Sequence, residues 1–69
     1  MEKVDVRGLS CPMPVIRVKK LIDKGSKEIN VVGTSQVSKE NVSKLAASNG
    51  FALKIIRDGK DEWEVELSK

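Results

Sequence analysis

The chain has one cysteine, Cys11, in the run Asp5-Val6-Arg7-Gly8-Leu9-Ser10-Cys11-Pro12-Met13-Pro14, and no histidine at all. Without histidine, cysteine-based hydrolysis lacks its usual base, and histidine metal sites are excluded. A dithiol oxidoreductase needs a resolving cysteine, which is missing. A single thiolate can still carry a group on its sulfur. A sulfur atom held as a persulfide asks no second residue to do chemistry. Most free cysteines are buried, inert packing, but the neighbours of Cys11 argue otherwise. A residue before proline is driven into the extended geometry that a helix N-cap needs. Pro12 suits the first helical position, Pro14 removes another donor, and the Met13 amide is left facing the sulfur. A helix dipole stabilises an anion there by about 0.3–1 kcal/mol, lowering a thiol's pKa by roughly 0.2–0.7 units. The thiolate fraction at pH 7 then rises from roughly 3% to about 13%. Arg7, Lys39 or Arg57 would add to this if the fold brought them to the same edge.

The elements that must position Cys11 follow from periodicity. Val4 and Val6 alternate with polar residues as a short strand. Residues 12–24 carry Val15, Val18, Leu21 and Ile22 as a helical stripe, with Gly25 at the C′ position. Residues 28–32 form a second strand, and 33–37 a loop. Ser38 is expected to cap a second helix, with Val42, Leu45 and Ala46 on one side and Asn49-Gly50 as its stop. Residues 51–57 and 62–67 are the last two strands, joined through Asp58-Gly59. In the final strand Trp63, Val65 and Leu67 face one way and Glu62, Glu64 and Glu66 the other, so one sheet face is packed and one wet. Val32 and Ile56 interrupt the polar pattern of that wet face.

Right-handed crossovers then place both helices on one face of a mixed sheet, an α/β two-layer sandwich of order βαβαββ. The fourth strand slots between the second and third, giving the expected order 1-2-4-3. Helix N-termini share the sheet edge at which the parallel strands end. Cys11, the 33–37 loop, Ser38, Lys39 and the 57–60 turn should meet there.

Sixty-nine residues make one small domain, 1–69, with a marginal core and no disulfide to staple it. The start lacks the apolar core of a signal peptide and no segment suits a bilayer, so a reduced, cytoplasmic setting is expected. The net charge is +3, but acids are interleaved with the bases, as on an ordinary solvated surface. Other classes stay open: a small basic RNA-binding module, or a regulatory interaction module whose cysteine is incidental. The first has only two aromatic residues for stacking and no Gly-x-x-Gly loop. No membrane, nucleic acid, metal or cofactor is expected.

The run from Asp5 to Val15, with glycine three positions before Cys-Pro-x-Pro, resembles the signature of the TusA (SirA-like) sulfur-carrier family. Length and element order are similar throughout. The resemblance implies that Cys11 carries a persulfide delivered by a cysteine desulfurase, with Gly8, Pro12 and Pro14 as structural support. It also implies a downstream acceptor protein. In the family the relayed sulfur supports tRNA thiolation or sulfur oxidation. Val37 to Lys44, followed by Asn49-Gly50-Phe51, is similar to the N-terminal domain of YedF-type proteins linked with selenium metabolism. Those proteins usually continue into a DsrE-like domain, a candidate acceptor. Two departures concern partner choice: Gly33-Thr34-Ser35-Gln36 stands where an acidic residue is common, and Met13 stands where TusA itself has one. Arg7, Met13, Lys39 and Arg57 are the candidate docking residues.

Overall fold

The computed structural model describes residues 2–9 and 13–69. Six elements follow the chain: β1 (Glu2–Asp5), α1 (Met13–Lys24), β2 (Glu28–Gly33), α2 (Gln36–Ser48), β3 (Ala52–Asp58) and β4 (Trp63–Ser68). The sheet runs β1-β2-β4-β3, with β1 parallel to β2 and β4 antiparallel to both neighbours. The expected layers and strand order are therefore present.

The helix-covered face follows from the register. Val31 stands opposite both Val4 and Val65, and Ile29 opposite Leu67. With Trp63, these side chains form a core closed by Val18 of α1 and by Val42 and Ala46 of α2. Both helices end as glycine-capped turns. Ser26 N–H donates to the Leu21 carbonyl (3.1 Å) and Phe51 N–H to that of Ala46 (2.9 Å). Gly25 and Gly50 supply the positive φ this geometry requires (102° and 77°).

Two expectations need correction. Ser38 does not cap α2. Ser35 does, in extended geometry, and its hydroxyl accepts from Ser38 N–H at 3.4 Å. The helix thus begins one turn early, Ser38 is buried inside it, and Val37 belongs to its exposed first turn rather than to a loop. The second correction concerns β3, whose alternation is broken by a bulge between Ile55 and Arg57. The extra residue, Ile56, turns Arg57 opposite Glu64 on the open face and Asp58 opposite Trp63 on the helix side.

Candidate functional site

β1 runs out at Asp5, and Val6 N–H extends the ladder by donating to the Val32 carbonyl at 2.7 Å. The chain then turns. Leu9 N–H donates to the Val6 carbonyl at 3.3 Å, and Gly8, third in this turn, has φ +73°. A type II turn requires that sign at the third position, where glycine has no Cβ to resist it. The Asp5 carboxylate accepts from Arg7 N–H at 2.9 Å and from the Arg7 guanidinium at 2.8 Å. These bonds to Arg7 hold the Asp5 carboxyl at about 2 and push the guanidinium's pKa upward. Gly8 N–H donates to Thr34 Oγ1 across the β2–α2 connection at 3.2 Å.

Cys11 and Pro12 lie outside the described residues. What is described is the frame on either side of them. Before them, Leu9 packs against the core. After them, Met13 opens α1 with 42% of its surface exposed, and Pro14 is buried in the first turn. Of the other candidates, Arg7 is exposed and also approaches Glu62 at 3.8 Å, while Arg57 pairs with the same carboxylate at 2.5 Å. Glu62 therefore bridges the β1 turn and β3. Lys39, near the start of α2, reaches Asp58 at 2.6 Å, a contact made possible by the bulge. Trp63 donates its indole N–H to the Ser35 carbonyl at 2.8 Å. Of the expected edge, Thr34 bonds Gly8, Ser35 bonds Trp63, Lys39 pairs with Asp58 and Arg57 pairs with Glu62. The cations among them are already neutralised.

Two surface hollows border this edge. One, of about 380 Å³ on the open sheet face, holds the Asp5–Arg7–Glu62–Arg57 chain together with Asn30 and Glu64. The other, of about 330 Å³, runs between β1 and α1, lined by Val4, Met13, Ile16, Leu21 and the cations Lys3, Arg17 and Lys20. Ile16 lies outside the buried stripe of α1 and is 39% exposed. Sequence reasoning missed this groove. Its one signal was an isoleucine out of phase with Val15, Val18, Leu21 and Ile22. Among the described residues, no three carboxylates or thiols gather to hold a metal ion, and no helix is long and apolar enough to cross a membrane.

The fold is a small βαβαββ sandwich, and its one cysteine falls in sequence between the turn of residues 6–9 and the first helix. The family model of the sulfurtransferase TusA matches residues 2–69. A putative sulfur carrier protein of Methanocaldococcus jannaschii is 30% identical over 71 aligned positions, covering 100% of this chain and 95% of that one. The crystal structure of a SirA-like protein from Desulfitobacterium hafniense superposes with a TM-score of 0.82 at 30% identity, over 99% of this chain and 96% of the other. The chain belongs to the TusA family. Membership implies dealings with proteins that give and take sulfur.

Proposed function

We propose that this protein is a sulfur carrier that accepts sulfur as a persulfide on Cys11 and passes it to a partner protein. The family match across residues 2–69, with the one cysteine of the chain in Cys11-Pro12-Met13-Pro14, carries this reading. The Cys11 thiolate attacks the outer sulfur of a donor persulfide. The new S–S bond forms as the old one breaks, and its electron pair leaves on the donor's thiolate. Nothing is oxidised or reduced overall. An acceptor thiolate repeats the step on Cys11, which returns as a thiolate. No base or metal is required, in keeping with a chain that has no histidine.

The donor we propose is a cysteine desulfurase, and a DsrE-like domain is a fitting acceptor. The β1–α1 groove is the docking face for the donor. Met13 and Ile16 offer exposed apolar contact two to five positions from Cys11, and Lys3, Arg17 and Lys20 rim the groove, with no carboxylate among its described lining residues. The complementary surface is an apolar tip surrounded by carboxylates. Arg7, Lys39 and Arg57, each paired with a carboxylate, form a polar rim for either partner. Nucleic acid suits the molecule poorly. Its two aromatics, Phe51 and Trp63, are both buried and offer no platform for base stacking.

Incubated with a cysteine desulfurase and free cysteine, the wild type gains one sulfur in mass and Cys11→Ala gains none. A wild type that stays unloaded, or a Cys11→Ala variant that loads equally, overturns the proposal.

A further inference from the structure

The turn of residues 6–9 precedes Cys11 in the chain, and one side chain outside that turn bonds its exposed amide. In the turn of residues 6–9 the Leu9 amide is used internally and the Arg7 amide is held by Asp5. Only the Gly8 amide points away, and Thr34 Oγ1 accepts from it at 3.2 Å. Thr34 stands on an unusually fixed piece of backbone. On one side is Gly33, paired opposite Trp63 so closely that any Cβ there would overlap the indole ring. On the other is Ser35, whose carbonyl accepts the Trp63 indole N–H while its hydroxyl caps α2. Trp63 itself is fully buried. A rigid core residue thus clamps both neighbours of Thr34, and the threonine hydroxyl transfers that fixed position to the turn before the cysteine.

We infer that Thr34 is a positioning residue for Cys11: by holding the Gly8 amide it fixes the turn of residues 6–9, three residues before the cysteine in the chain, against the β2–α2 connection. Thr34 does no chemistry and need not touch sulfur. Its hydroxyl acts through the turn, three residues upstream of the thiol. This rests on Cys11 being the reactive group, but its test does not require that a desulfurase load it.

Two variants separate the hydroxyl from the bulk of the side chain. Thr34→Val keeps the shape and removes the acceptor, and Thr34→Ser keeps the acceptor and removes a methyl. Amide hydrogen exchange at Gly8 should accelerate about three- to tenfold in Thr34→Val and stay at the wild-type rate in Thr34→Ser. The pH profile of Cys11 alkylation by iodoacetamide is the second readout. Its midpoint should shift in Thr34→Val and return to the wild-type value in Thr34→Ser. A fold-wide loss of stability would instead raise exchange at core amides such as Val31 and Val65, without selecting Gly8. An unchanged Gly8 amide and alkylation profile in Thr34→Val, or a Thr34→Ser variant that behaves like Thr34→Val, overturns the inference. A wild type that alkylates and responds as described but takes no sulfur from the desulfurase overturns the carrier reading and leaves Thr34 in its role.

Discussion

The turn before the cysteine rests on one exposed carboxylate. Asp5 accepts from both the backbone and the side chain of Arg7, and the charge-assisted bonds hold its pKa at about 2 against an ordinary 3.8. Because the folded value lies below the unfolded one, the unfolded chain binds more protons between about 2 and 3.8. The stabilising effect of this carboxylate is therefore present above 3.8 and is lost as pH falls through about 2. Both groups are exposed, so solvent keeps the effect on global stability small and the local signature is the one to measure. Followed by carboxyl chemical shift, Asp5 in the wild type should titrate with a midpoint at about 2, and in Arg7→Ala should return towards 3.8. A wild-type midpoint already near 3.8 would mean that the Asp5–Arg7 clamp does not persist in solution. The pairing of Arg7 through Asp5 is local enough to be read from Asp-x-Arg. The bridge from Arg7 through Glu62 to Arg57 is not, because only the fold brings the turn after β1 beside the β3–β4 connection.

At the scale of elements, β4 and its partners show where local pattern suffices and where it fails. Trp63, Val65 and Leu67 alternate with glutamates, and that period alone tells which face is buried. Right-handed crossovers then leave few places for β4, and it lies between β2 and β3. The start of α2 was not legible in the same way. Ser35 and Ser38 stand one helical turn apart and either can cap. The choice falls to Ser35 because Trp63, distant in sequence, holds its carbonyl. The bulge at Ile56 was equally hidden, since Ile55-Ile56-Arg57 contains no glycine to mark it, yet it decides that Arg57 meets Glu62 and Asp58 meets Lys39. Gly33 joins these two lessons: it reads as a loop residue, but it is the last residue of β2 and leaves the space that the indole fills. Gly33→Ala would force Trp63 out of its position, an overpacking cost of about 1–3 kcal/mol. In a domain of this size each kcal/mol lowers Tm by roughly 4–8 °C. Thermal unfolding of Gly33→Ala within a degree of the wild type would show that the ring is free to shift. The Ser35 contact would then be no fixed anchor.

Over the whole molecule the charges are divided unevenly. On the open sheet face Asp5, Glu62 and Glu64 stand among Arg7 and Arg57 and largely cancel them. Along the β1–α1 groove Lys3, Arg17 and Lys20 face solvent, and among the described residues no carboxylate lies within ion-pair distance of Arg17 or Lys20. Three of the cations that take part in no ion pair among the described residues, Lys3, Arg17 and Lys20, border the apolar groove that begins at Met13. Rim charges of this kind chiefly govern encounter rate and salt dependence, whereas the apolar contact governs residence. Charges more than about 8 Å apart are screened at physiological ionic strength, so only cations close to the docked partner count. In sulfur transfer from a desulfurase, Arg17→Glu with Lys20→Glu should raise KM for the carrier about tenfold at low salt with kcat unchanged. The difference from wild type should shrink as salt rises. Ile16→Asp should raise KM by a factor that salt does not remove. Alkylation of Cys11 by iodoacetamide should be the same in all three proteins, which separates docking from sulfur reactivity. If KM is untouched by both changes while the wild type is loaded, the donor seats elsewhere on the edge. The ion-paired rim of Arg7, Lys39 and Arg57 is then the surface to reverse next.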